Sequence, residues 1–319
     1  MPGMEPARMN LEEELSSWGP APLDSLQNPP SLEFAQKYCR LLARSHYENF
    51  VVVGLFTPPH LRQSFEAIYG FCRWADDLGD ETGDSDRSTS LLKWWEDQLI
   101  AVFTPDSPPP RHPVYVALSP VIKQHNLPIN PFQNLISAFR QDQYKTRFEN
   151  DAELVDYCQR SANPVGELVL RLFGHATQEN LKMSDDICTG LQLANFWQDV
   201  SRDLAKGRIY IPAQSLAKYE LTEEDLRQVP ASAAFRQMLA EEVAKTRLLF
   251  DSGRPLTKKL SGRAGLALRL FHAGGVATLD AIENAGFDVL TRRPRLGKIK
   301  QLRLMARLLW QSFAERPLP

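Results

Sequence analysis

The chain predicts an all-α fold, and three observations carry that expectation. Apolar residues recur at intervals of three and four, as in Phe34, Tyr38, Leu41 and Leu42, in Leu135, Ile136 and Phe139, and in Leu266, Leu270 and Phe271, which is the helix period. Runs of β-branched residues with strict alternation are missing; the short Val51-Val52-Val53 reads as easily as a buried helical segment. Third, the strongest internal breaker, Thr104 to Pro113 with prolines at 105, 108, 109, 110 and 113, punctuates helical pattern on both sides, because successive prolines favour an extended loop. We read it as a surface loop inside one domain rather than as a linker.

In chain order, residues 1 to 30 are rich in Pro, Glu and Ser with Trp18 as their one aromatic, and predict a flexible N-terminal arm. One domain is expected from residue 31 to residue 319, with no internal repeat of fixed period. A hydrophobic share of 43% over 319 residues is ample for a buried core. The net charge of −2 gives no global electrostatic case for a nucleic-acid partner. Cys39, Cys72, Cys158 and Cys188 are too widely spaced for a zinc site or a disulfide scaffold and read as reduced thiols. No basic segment followed by an apolar stretch opens the chain, and no run of about 18 apolar residues occurs, so a cytoplasmic location is the expectation.

Two acidic segments carry the chemistry. Ala75-Asp76-Asp77-Leu78-Gly79-Asp80-Glu81 and Asn195-Phe196-Trp197-Gln198-Asp199-Val200-Ser201-Arg202-Asp203 each place two carboxylates four residues apart. On a helix, Asp76 then lies beside Asp80 and Asp199 beside Asp203, at roughly 5–6 Å between Cβ atoms. Such pairs also occur on solvated helix faces, but here the context is apolar. The run Phe65 to Trp74 precedes the first pair, while Leu191, Leu193, Ala194, Phe196 and Trp197 surround Gln192, Asn195 and Asp199. Polar groups on an otherwise apolar helix need partners. Mg²⁺ suits them, because it takes oxygen ligands and shares its sphere with water and substrate phosphates. Arg73, Arg202, Lys206 and Arg208 add cations able to contact a diphosphate or to pair with the neighbouring acids.

Taken together, Asp76-x-x-x-Asp80, Gln192-x-x-Asn195-x-x-x-Asp199-x-x-x-Asp203 and the tail Lys206-Gly207-Arg208-Ile209-Tyr210-Ile211-Pro212 resemble the squalene and phytoene synthase family. His46-Tyr47-Glu48-Asn49-Phe50, Ala67-Ile68-Tyr69 before Arg73, and Tyr157-Cys158 leading to Val165-Gly166-Glu167 extend the resemblance from about residue 31 to the C-terminus. It implies an isoprenoid synthase fold, a single helical bundle around a central apolar cavity, with Mg²⁺ (or Mn²⁺) gripping the diphosphate of a prenyl substrate. By position it implies catalytic roles for Asp76, Asp80, Asp199 and Asp203, with Asn195 joining them as metal ligand. Asn49, Phe50, Tyr69, Arg73, Tyr157, Gln192, Arg208 and Tyr210 would bind substrate.

Members that join two prenyl diphosphates often carry an arginine where this chain has Gln198, and small residues where it has Ser161-Ala162-Asn163-Pro164. Both departures resemble the hydroxysqualene synthase branch of bacterial hopanoid biosynthesis, a lyase reaction on presqualene diphosphate that needs no NADPH. Asn163 and Gln198 are then candidates for positioning the quenching water, with packing as their plain alternative. A head-to-head prenyltransferase using the same residues, and a non-catalytic assembly subunit, are the competing functions. Finally, Arg292, Arg293, Arg295, Lys298, Lys300, Arg303 and Arg307 alternate with Leu296, Ile299, Leu302, Leu304 and Leu308. This amphipathic stretch suits either peripheral association with the inner membrane or a terminal helix with a solvated basic face.

Overall fold

The structure, a computed structural model, describes residues 10–45, 57–295 and 297. Among them every regular element is helical. They form two compact units, Met1–Tyr144 with Leu168–His175, and Lys145–Glu167 with Ala176–Pro319, where one domain was expected. The His46 to Phe50 motif, Val51 to Val53 and most of the basic C-terminal stretch lie outside the described residues. No described helix is long and apolar enough to cross a membrane.

The first unit is arranged around one helix. Its elements are α1 (Leu11–Trp18), α2 (Pro20–Ser25), α3 (Leu32–Ser45), α4 (Arg62–Asp80), α5 (Ser85–Phe103), α6 (Pro113–His125) and α7 (Asn130–Gln141). Helix α4 packs against α3, α5, α6 and α7, and buries Phe71, Trp74, Ala75 and Leu78 at 2% exposure or less. That depth suits aromatic packing: Phe71 meets Phe132 edge-on at 4.9 Å, and Trp74 stacks on Trp95 at 5.4 Å. Residues 104–112 form the expected loop between α5 and α6.

The loop ends in an unusual cap. His112 is fully buried and its Nδ1 accepts the Val114 amide at the start of α6. Its ring stands edge-on to Trp74 at 4.5 Å and to Trp95 at 4.8 Å. With Nδ1 accepting, Nε2 carries the proton, finds no hydrogen-bond acceptor and is left to the indole faces. Burial holds this imidazole well below its ordinary pKa.

The expected flexible arm is helical from Leu11. Asn10 caps α1 by accepting the Glu12 amide, and Leu11 and Leu15, one turn apart, are buried in the core of the first unit. Trp18 packs on Phe34 and Tyr38, and the Tyr38 hydroxyl donates to Glu14 while accepting from Trp74 Nε1 at 2.9 Å. Composition hid this, because two correctly spaced leucines suffice to seat a short helix while Pro, Glu and Ser dominate the average.

In the second unit, α8 (Asp151–Ser161) and α9 (Asn163–Leu172), the latter continuing into the first unit, precede the long α10 (Gln178–Ala205). After it come α11 (Ala213–Lys218), α12 (Ala233–Gly253), α13 (Leu256–Lys259) and α14 (Gly262–Asn284). Thr177 caps α10 by accepting the Asn180 amide. Helix α10 packs on α8, α12 and α14, and the three helices α10, α12 and α14 close around Phe250, which is 1% exposed. Glycines permit that closeness: a Cβ on Gly190 would stand 3.2 Å from the Phe250 ring, and one on Gly275 only 2.3 Å. Trp197 Nε1 donates to Thr246 Oγ1 at 2.8 Å, tying α10 to α12.

Two outcomes follow from these contacts. Gly275→Ala overpacks the Phe250 site and is expected to cost about 1–3 kcal/mol in urea denaturation, against no more than a few tenths for Gly274→Ala, where a Cβ meets open space. Because folded His112 resists protonation, the unfolded chain takes up its proton first once the pH falls below the ordinary imidazole pKa of ~6.5. Stability from this group is therefore whole at neutral pH and is lost on acidification, by up to ~1.4 kcal/mol per pH unit. Unfolding free energies between pH 7 and 5 should fall less steeply in His112→Asn, which keeps a capping side chain, than in the parent protein.

Candidate functional site

In the first unit, the acidic motif closes α4. Asp76, Asp77 and Asp80 occupy its final turns with no basic residue in the last one. Carboxylates at a helix C-terminus oppose the helix dipole, so the segment calls for a cation. Arg73 supplies one from within the helix: Nε donates to Asp77 Oδ2 at 2.8 Å, Nη2 donates to Asp77 Oδ1, and Nη1 donates to Asp76 Oδ2 at 3.3 Å. Arg73, expected to face a diphosphate, is thus bonded to two aspartates of its own helix, and Asp77 is a participant that the spacing argument passed over. Burial pushes the Asp77 carboxyl up to about 7 despite the opposing pull of Arg73. Asp76 has nearly half its side chain exposed and Asp80 is exposed. Tyr69, half-buried one turn before Arg73, has its phenol pushed up to about 12, chiefly by burial.

In the second unit, the motif runs along α10. Gln192, Asp199 and Asp203 are half-buried and Asn195 is exposed. The Asp203 carboxyl is pushed up to about 6, first by burial and next by the Asp199 charge. Beside it lies an aromatic stack: Phe196 and Tyr210 are parallel within 6° at 3.7 Å, with Tyr157 about equally near both, at 6.2 and 6.0 Å. Phe148 closes the group, 5.4 Å from Tyr157 and 5.7 Å from Tyr210.

A turn makes this possible. After α10 the chain reverses at Gly207, whose φ of +76° is open to glycine but strained for other residues. The Arg208 amide returns to Asp203 O at 2.8 Å, and the Ile209 amide donates to Thr146 O at 2.9 Å. Arg147 Nη1 holds Gly207 O at 2.7 Å. Asp203, Arg208, Phe196 and Tyr210 consequently line one small cavity. The tail from Lys206 to Pro212 is therefore the element that brings Arg208 and Tyr210 to the acidic helix.

The two residues proposed to place water are engaged elsewhere. Asn163 is buried and its Oδ1 accepts from Thr189 Oγ1 at 3.0 Å; Gln198 is 7% exposed and its Nε2 donates to Pro294 O at 2.7 Å. Both contacts match the packing alternative. Asn49 and Phe50 lie outside the described residues. One participant was absent from the sequence expectation: Arg293 Nη2 donates to Asp199 Oδ2 at 2.7 Å and its Nε lies 2.5 Å from Oδ1. The sequence offered no signal for this pairing, since 94 positions separate the partners and Arg293 read as one of many basic residues. Arg202 adds a weaker contact, 3.8 Å from Asp199 Oδ1.

Among the described residues no three His, Cys, Asp or Glu side chains converge into a preformed metal site. Each motif instead presents hard oxygen donors on one helix face, Asp76 with Asp80 and Asn195 with Asp199 and Asp203. That donor set fits Mg²⁺, which keeps several waters and completes its sphere with substrate phosphate.

Comparisons with known proteins give the family. The family model for squalene/phytoene synthase matches residues 43–300, and the chain belongs to that family. It is 28% identical over 299 residues to the 15-cis-phytoene synthase of Synechocystis sp., covering 89% of this chain and 87% of that protein. A phytoene synthase of Arthrospira platensis is 28% identical over 285 residues, covering 84% and 90%. Among solved structures, squalene synthase HpnC from Alicyclobacillus acidocaldarius is 42% identical, with a TM-score of 0.75 over 83% of this chain and 98% of that one. A dehydrosqualene synthase solved with a ligand shares the fold at a TM-score of 0.78 and 21% identity, over 89% and 98%. The all-α isoprenoid synthase fold is therefore established, and with it a family that acts on prenyl diphosphates.

The Gly207 turn can be tested directly. Gly207→Ala is expected to cost about 1–2 kcal/mol in urea unfolding, the penalty for a left-handed alanine, and Gly207→Asn, which tolerates that region better, should recover part of it. Equal stability of all three proteins would show that the turn relaxes.

Proposed function

We propose that the protein is a hydroxysqualene synthase, converting presqualene diphosphate and water to hydroxysqualene and diphosphate. The observation that carries this reading is Gln198. Synthases that join two prenyl diphosphates often carry an arginine at this position of the second motif, and here a neutral amide is buried and bonded to Pro294 O. The position consequently offers no cation to a second diphosphate. The 42% likeness to a bacterial squalene synthase supports a triterpene-sized substrate.

The reaction balances without a reductant. The bond from the substrate's methylene carbon to diphosphate oxygen breaks with its electron pair leaving on diphosphate, the cyclopropylcarbinyl cation rearranges, and water adds and loses a proton. Bound Mg²⁺ would act as a Lewis acid on the charge that builds on the leaving group. Asp76 with Asp80 would hold metal at the first motif and Asn195 with Asp199 and Asp203 at the second, where Arg208 beside Asp203 supplies a further cation. The stacked faces of Phe196 and Tyr210 with Tyr157 offer electron-rich surface to a carbocation.

The likeness to phytoene synthases favours a second reading, in which the same residues join two prenyl diphosphates head to head. Purified protein incubated with Mg²⁺ and no NADPH separates the two. Hydroxysqualene formed from presqualene diphosphate is the expected product. Conversion of farnesyl diphosphate to presqualene diphosphate, with the latter left unreacted, overturns the proposal in favour of the transferase. Under either chemistry, Asp76→Ala and Asp199→Ala should each lower kcat by about 10²- to 10³-fold with an unchanged circular dichroism spectrum. Full activity in both variants would refute the metal role of the motifs.

A further inference from the structure

The chain leaving α14 forms a strap over the second acidic motif, held at two points that do not involve Arg293. Upstream, Asp288 accepts from Arg236 Nη2 at 2.9 Å and from the Thr291 amide at 3.0 Å, Arg236 Nη1 holds Gly286 O at 3.0 Å, and Val289 and Leu290 are buried. Downstream, Gln198 donates to Pro294 O. Arg293 lies between these anchors, so its fork is delivered to Asp199 by the fold rather than by a free side chain finding an acid. Asp199 Oδ2 accepts from Nη2, while Oδ1 lies within ion-pair distance of Nε but makes no hydrogen bond. The pair is only about a quarter exposed, which limits screening by solvent and salt.

We propose that Arg293 is a built-in counter-cation for Asp199: it holds the carboxylate in the metal-free protein and is displaced, with the strap from Thr291 to Arg295, when a divalent cation binds. This rests on the reading of Asp199 as a metal ligand. A dication on the same carboxylate would face the guanidinium charge at close range, where like charges repel strongly. The two occupants therefore compete, and metal affinity is set partly by the cost of expelling the arginine. Gln198 acts as the latch that returns the strap, a positioning role open to an uncharged side chain bonded to a carbonyl.

Calorimetric titration of the full chain with Mg²⁺ or Mn²⁺, without substrate, provides the test. Arg293→Gln is expected to tighten metal binding about three- to tenfold, the range of a partly exposed ion pair, whereas Arg292→Gln, which removes the same charge from an exposed neighbour, should change it less than about twofold. Hydrogen exchange gives a second readout: the amides of Arg292, Arg293 and Arg295 should exchange faster in the parent protein at saturating metal than without it. Unchanged or weaker affinity in Arg293→Gln, equal tightening in Arg292→Gln, or a strap whose exchange ignores metal each overturns the counter-cation. Asp199→Ala separates this from the underlying reading: undiminished metal binding there refutes Asp199 as a ligand, while weakened binding with no response to Arg293→Gln refutes the gate alone.

Discussion

The proposed function depends on carboxylates carried by the two most heavily packed helices. A helix in the heart of an apolar unit must be sealed on most of its surface, and α4 and α10 are the most heavily packed helices of their respective units. The price is that their charged groups cannot relax away from one another. Burial lifts the Asp77 and Asp203 carboxyls well above the ordinary aspartate range, and the neighbouring arginines restore only part of the lost solvation. Under the proposed function a bound cation would offset part of that unfavourable charge.

The arginines show how the resting protein tolerates that charge. In α4, Arg73 reaches forward one turn to Asp77 and Asp76; on α10, Asp199 is met by Arg293 from the far end of the chain. One solution is local and the other is long-range; Arg73 bonds both oxygens of Asp77, the bidentate geometry, whereas Arg293 hydrogen-bonds one oxygen of Asp199. The aromatic cluster of Phe148, Tyr157, Phe196 and Tyr210 supplies the apolar counterpart, a polarisable surface next to the acids that provides no competing anion.

Much of this was legible in the sequence. Helical periodicity gave the fold class, and the spacing of Asp76 with Asp80 and of Gln192, Asn195, Asp199 and Asp203 gave the acidic faces, because a helix converts spacing into direction with little ambiguity. Tyr210 and Arg208 were found through the family tail, and the Gly207 turn supplies the reason for their place. What stayed hidden depends on tertiary partners. Asp77 sits one position off the metal register and is visible only once Arg73 is seen to fold onto it. Arg293 has no local signal at all. Gln198 was noticed for the residue it replaces, but its bond to a backbone carbonyl 96 positions away could not be read from the replacement. The N-terminal arm misled for the converse reason, since average composition conceals two leucines that dock.

The glycines around Phe250 carry a consequence for evolution. Gly190 and Gly275 approach one phenyl ring from two helices, so α10 cannot rotate or slide against α12 and α14 by a fraction of a turn without collision. The acidic stripe on its other face is thereby indexed to the scaffold like teeth on a fixed rack. Substitutions that spare Gly190 and Gly275 therefore leave unchanged the pitch at which the carboxylates are presented.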